Sequence, residues 1–138
     1  MNTKEIITTR VLVVGSLKSR GAKRRPRIRV AGFWLSDFGF NADTLVSGEF
    51  DESKAIFKAE GTGIEAYNKC ISDTRQKGGR ITQVSNHILN KKMTPYFDMT
   101  GHWLEGYGFN IGDVVVLHCS QALIEATRLD LSKARGLR

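Results

Sequence analysis

Cysteine is scarce in this sequence: Cys70 and Cys119 are the only two in 138 residues, and neither belongs to a CxxC arrangement. That speaks against a disulfide framework and against the common zinc sites. The three histidines, His87, His102 and His118, are scattered and form no His-x3-His pair, so no metal and no cofactor is expected. No apolar run approaches the roughly 20 residues of a membrane helix, and no signal-peptide pattern opens the chain. The expectation is a cytoplasmic protein without membrane contact, its two thiols free in a reducing compartment. Proline and tryptophan are equally rare, two of each, and their rarity makes their positions informative.

Trp34 and Trp103 lie 69 residues apart, and so do Pro26 and Pro95. Laying residues 26 to 58 over 95 to 127 at that offset gives eight identities: Pro, Gly, Trp, Leu, Gly, Phe, Asn and Val. GFWLSDFGFNADT from residue 32 and GHWLEGYGFNIGD from residue 101 are thus one phrase written twice. Upstream the register continues with one residue's slip, Arg10-Val11 against Arg80-Ile81. Downstream, Lys54 to Phe57 fits Gln121 to Ile124 if two loop residues are dropped. The pattern reads as a tandem duplication of one supersecondary unit.

Each unit opens on a strand-like run, Ile6 to Val14 or Arg80 to Ser85, rich in β-branched residues in the first copy. A polar loop is expected next, residues 15 to 25 or 86 to 94, and then a proline-led strand. Alternation in that strand turns Ile28, Val30, Phe97 and Met99 inward and Arg27, Arg29 and Tyr96 outward. Trp-Leu should sit on a single helical turn ended by Gly39 or Gly108, with Phe40 packed on Leu35 and Phe109 on Leu104. Asp43 stands where Gly112 stands, a position that tolerates a left-handed backbone. Two further short strands close each unit. Between the units Ile64, Tyr67 and Ile71 recur at helical spacing. The organisation expected is a first repeat over residues 1–60, a helical linker over 61–79, a second repeat over 80–128 and a tail over 129–138.

The pattern Pro-x5-Gly-x-Trp-Leu-x3-Gly-Phe-x2-Gly-Asp, met in full at Pro95, Gly101, Trp103, Leu104, Gly108, Phe109, Gly112 and Asp113, resembles the SymE-type toxin family. That family belongs to the AbrB/MazE/SpoVT swapped-hairpin group. The first copy departs at Ser36, Asp37, Asp43 and Thr44. The resemblance implies a mainly β fold, a swapped-hairpin barrel normally assembled from two chains and here supplied by one chain as a pseudo-dimer. It also implies either nucleic-acid binding or RNA endonuclease activity.

Net charge is +7, and it is distributed with the repeat. Residues 1–30 hold nine bases against one acid, residues 31–66 two against seven, residues 67–97 six against one, and residues 98–138 four against five. Bases neutralise phosphates and release counterions, so a nucleic-acid partner, RNA or DNA, is expected. The candidates are Arg20, Lys23, Arg24, Arg25, Arg27 and Arg29 in the first unit, and Arg75, Lys77, Arg80, Lys91 and Lys92 in the linker and second. A pseudo-twofold is expected to set the two basic loops at related positions on one face. Tyr96 is a candidate stacking platform; the tryptophans read as structural. For RNA cleavage the candidates are His102, Glu105 and Asp98, residue types that exchange protons with a 2′-hydroxyl. Three readings stay open: a nucleic-acid-binding module, an RNA-cleaving toxin, and an antitoxin-like module with a protein partner. Whether pseudo-dimers pair again is open as well.

Overall fold

The computed structural model describes residues 8 to 18, 21 and 23 to 130, and of Leu89 the backbone alone. The elements run β1 (Thr8–Val13), β2 (Gly15–Leu17), β3 (Arg25–Ala31), α1 (Trp34–Asp37), β4 (Leu45–Asp51), β5 (Lys54–Gly61), α2 (Gly63–Gln76), β6 (Arg80–Gln83), β7 (Ser85–Leu89), β8 (Lys92–Thr100), α3 (Trp103–Gly106), β9 (Val114–Ser120) and β10 (Leu123–Arg128). The chain is mainly β, as expected, but the barrel is corrected to two antiparallel sheets. Six strands lie in the order β1-β9-β10-β5-β4-β6 and four in the order β2-β3-β8-β7, and no pairing among the described residues joins one edge to another.

The reason lies at two buried valines where the chain leaves one sheet for the other. Val14, between β1 and β2, spends its backbone on a turn: its N–H donates to the Asp113 carbonyl and its carbonyl accepts from Gly112, both at 2.8 Å. Val84, between β6 and β7, accepts from Asp43 and donates to Thr44, again at 2.8 Å. Backbone groups spent on turns cannot continue a ladder, so each sheet ends there. Asp43 and Gly112 both adopt the left-handed backbone that these turns need, at φ 71° and 92°.

The strand pairs interleave the two halves of the sequence. β3 pairs with β8, with Arg29 opposite Asp98, and β5 pairs with β10, with Phe57 opposite Ile124. Gly32 donates to the Pro95 carbonyl and Gly101 to the Pro26 carbonyl, each at 3.0 Å. Between the sheets lie Ile28, Val30, Phe97 and Met99, all buried as the alternation predicts. Phe97 stacks on Phe40 at 5.8 Å and meets Phe57 edge-on at 5.3 Å. Each such side chain contributes roughly 1.5–3 kcal/mol on burial.

The helical turns behave as the repeated phrase predicts. Phe40 donates to the Leu35 carbonyl (2.9 Å) and Phe109 to that of Leu104 (3.0 Å), closing α1 and α3 over glycines at φ 90° and 91°. All four of those side chains are fully buried.

Two expectations are corrected. The second basic loop is a hairpin: β7 and β8 are joined by Asn90-Lys91, both at positive φ, the two-residue turn whose twist matches antiparallel strands. The linker does form a helix, α2, but the apolar positions at helical spacing are not the ones it buries, and Ile71 is only half-buried. Ile64 and Tyr67 are exposed, whereas Cys70 and Thr74 are buried. Small groups win there because the approach is close. A Cβ at Gly79 would stand 2.5 Å from the Gly48 carbonyl oxygen and 3.0 Å from Thr74 Cγ2. Lys77 fastens the end of α2 to the sheet through Glu49 (3.1 Å) and to its own helix through Asp73 (3.2 Å).

Two measurements check this architecture. Gly108→Val puts a β-branched residue at positive φ and its Cβ 3.0 Å from Ser53 Oγ. It should cost on the order of 1–3 kcal/mol, read as a lower urea midpoint; an unmoved midpoint would show that α3 is not closed this way. The hydrogen bond from Lys77 holds the Glu49 carboxyl below its ordinary value of 4.5. A depressed carboxyl stabilises the fold above its unfolded pKa and loses that contribution as pH falls through the folded one. Lys77→Ala should therefore lower the urea midpoint at pH 7, and the gap from the parent should close as pH drops below about 4.5.

Candidate nucleic-acid interface

Alternation along β3 and β8 leaves one face of the four-stranded sheet outside the core. On β3 it carries Arg25, Arg27 and Arg29, each half-buried, while Pro26, Ile28 and Val30 between them are buried. On β8 it carries Tyr96, Asp98 and Thr100, with Thr94 buried at the same register, and on β7 Ser85 and His87 lie opposite Tyr96 and Thr94. Three guanidiniums therefore stand at every second residue of one strand, roughly 6.5–7 Å apart along it.

They are not equivalent. Arg29 is held down: its guanidinium lies 4.1 Å from the centre of the Tyr96 ring, its Nη2 donates to His87 Nδ1, and Nη1 stands 3.9 Å from Asp98 Oδ2. Tyr96 in turn stacks on His87 at 4.9 Å. A donor aimed at Nδ1 places the imidazole proton on Nε2. Tyr96 thus points outward as expected, but Arg29 and His87 are both packed on its ring. Arg27, by contrast, has no hydrogen-bond, ion-pair or ring partner among the described residues.

The other basic candidates divide by position. Arg20 lies outside the described residues. Lys23 and Arg24 are exposed just before β3, Arg24 donating to Ser16 Oγ at 2.9 Å. Lys91 and Lys92 are exposed at the β7–β8 turn. The two basic loops do not stand side by side. Because β3 and β8 are antiparallel, the loop before β3 lies at one end of the sheet and the β7–β8 turn at the other. Arg75, Lys77 and Arg80 belong elsewhere: Lys77 is tied to Glu49 and Asp73, and Arg80 stands 4.3 Å from the centre of the Trp103 ring.

The cleavage candidates come together only in part. His102 Nδ1 and Glu105 Oε1 are 3.5 Å apart on the exposed side of α3, whereas Asp98 faces Arg29. Burial pushes the thiols of both Cys70 and Cys119 up, which disfavours the nucleophilic thiolate.

Sequence reasoning passed over one arrangement. Arg10 stands 4.5 Å from the centre of the Trp34 ring, as Arg80 does over Trp103. The Arg10–Arg80 alignment was a signal for it, since cations favour indole faces. The Gly-x-Trp spacing is explained here too. The indole folds back over the glycine and donates to a carbonyl one residue earlier, Trp34 to Ala31 (3.2 Å) and Trp103 to Thr100 (3.3 Å). A Cβ at Gly32 or Gly101 would collide with the ring.

Comparison with family models, curated proteins and solved structures finds no match to this chain. Gly101→Ala tests the seat of the indole directly. It should unseat Trp103, shift tryptophan emission to longer wavelength and cost about 1–3 kcal/mol; unchanged emission would contradict the fit.

Proposed function

We propose that this protein binds nucleic acid through its phosphates, on the outer face of the four-stranded sheet. One observation carries the reading: Arg25, Arg27 and Arg29 form a rail along β3, and Arg27 in its middle has no protein partner among the described residues. A cation without an internal partner on a sheet whose other face is core gains most from an external anion. Lys23 and Arg24 extend the rail at one end. Asp98 works against it, partly neutralising Arg29.

We further propose that the chain is a fused pair of swapped-hairpin units of the SymE and AbrB type. The paired bonds Gly32–Pro95 and Gly101–Pro26 support this, as does the pairing of Arg29 with Asp98, 69 residues on. The interval is the one that separates the two prolines and the two tryptophans.

Binding of labelled duplexes and single strands across a salt series tests the function. Replacing Arg27 by Ala should flatten the slope of log K against log salt by about 0.9 on B-DNA or 0.7 on a single strand. Replacing Lys23, Arg24 and Arg25 together should flatten it further, by similar factors on unrelated sequences. Asp98→Asn should tighten binding at low salt. Absence of affinity for any nucleic acid at low salt would overturn the reading in favour of a protein partner. Cleaved RNA in metal-free incubations would instead point to the toxin activity that the resemblance implies.

A further inference from the structure

β1 is an edge of the six-stranded sheet, and among the described residues no strand pairs with its outer side. The phase of that edge follows from the bonds at its end. Val14 spends both backbone groups toward β9, on Asp113 and Gly112. Successive residues of an antiparallel strand send their N–H and C=O groups to opposite sides, so Leu12 and Arg10 also bond toward β9. Thr9, Val11 and Val13 therefore aim a donor and an acceptor each outward, and all three residues are exposed.

Sheet edges are usually blunted against pairing by lysine, proline, a bulge or shortness. β1 has none of these. Its six residues, Thr8-Thr9-Arg10-Val11-Leu12-Val13, pair with β9 without a bulge and carry a single charge. That charge is turned aside, because the Arg10 guanidinium lies 4.5 Å from the centre of the Trp34 ring. Val11 and Val13 are 64% and 60% exposed. β6, the edge at the far end of the same sheet, is only four residues long. The same alternation leaves it Ile81 and Gln83 facing outward, and the Gln83 side chain is already bonded to the Asp43 carbonyl.

We propose that the β1 edge is an interface between two copies of this chain, whose β1 strands pair antiparallel about a twofold axis centred on Val11. Each copy offers the same edge, so the contact closes on itself as a dimer. The outward groups fix the register. Val11 exchanges both bonds with its twin, and Thr9 and Val13 each exchange both with the other residue of the second copy, two bonds for each of three facing pairs. Arg10 then stands opposite Leu12 of the second copy, and no like charges meet. Centring the axis on Arg10 would instead set two guanidiniums face to face. On the open face the row Val116–Val11 continues across the axis into its own copy, and β-branched neighbours of this kind favour strand pairing. The inference stands apart from the nucleic-acid reading, which concerns β3 in the other sheet.

Sedimentation velocity over a concentration series reads the dimer. One strand edge makes a small interface, so the chain should pass from monomer to dimer as its concentration rises. Val11→Pro removes an outward N–H and no bond to β9, a place where edge strands accept proline. It should raise the dissociation constant at least roughly fivefold. Val11→Lys keeps the backbone donor but sets two ammonium groups against each other; it should weaken the dimer as well, and less so at high salt. Val11→Cys reports the register. The α-carbons of a bonded pair lie about 5.5 Å apart, within disulfide reach, so mild oxidation should give a covalent dimer. Val13→Cys lies more than roughly 10 Å from its twin in this register and should give none; Cys70 and Cys119 are buried. A chain monomeric at every concentration would overturn the proposal and leave the edge to a strand of another protein. A dimer untouched by Val11→Pro and Val11→Lys, or cross-linked equally at both positions, would overturn it too.

Discussion

The architecture depends on strand pairs that cross between the two halves of the sequence, β3 with β8 in one sheet and β5 with β10 in the other. A unit of about 60 residues with short strands buries too little surface to stand alone. Here each half supplies the neighbours that the other lacks, and the side chains at the crossing, Phe57, Ile124, Phe97 and Met99, are among the most deeply buried. Other features follow from that requirement. The chain must change sheet at Val14 and Val84 to reach its partner strands, and among the described residues this change leaves one side of β3 beyond Arg27 without a pairing strand. The open edge thus has a topological cause.

The two sheet faces divide the labour in a way elementary alternation explains. Along β3 the small period of two separates Pro26, Ile28 and Val30, which hold the core, from Arg25, Arg27 and Arg29, which do not. Charge can accumulate on the second set because the first set already anchors the strand. Tyr96 and His87 brace one of these cations, so the Arg29 guanidinium is held in one orientation. A prearranged guanidinium loses less freedom on binding than a free one.

Much of this was legible in the sequence. The interval between rare residues located the repeated phrase, and the glycine caps, the inward Ile28, Val30, Phe97 and Met99 and the outward Tyr96 followed from local rules that tertiary packing did not override. What could not be read depended on long-range contacts. The sequence at Val14 and Val84 is strand-like, and only their bonds to distant turns show that the ladder ends there. Asn90-Lys91 lacks the glycine that usually marks a hairpin turn. Apolar spacing along α2 marks Ile64, Tyr67 and Ile71, whereas the residues it buries are Cys70 and Thr74, the latter where the helix closes on Gly79. At the candidate interface, the basic residues were found from charge density alone, which cannot separate the tethered Lys77 and Arg80 from the unpartnered Arg27. The Arg10–Trp34 contact was missed because Arg10 lies on β1 and Trp34 on α1, which only the fold brings together.

The register of β3 on β8 has one more implication. Arg29 and Asp98 occupy like positions in the two halves, yet they face each other across the ladder. In an assembly of two identical chains, a residue at such a place can meet only its own twin, and any charge there would confront a like charge. Joining both halves in one polypeptide removes that restriction, because the two sides can carry different residues. An acid opposite a base makes each half a better neighbour for the other than for a second copy of itself. On the fused-pair proposal, covalent linkage turns a symmetric contact into a directional one, with a polarity that an assembly of equals could not hold.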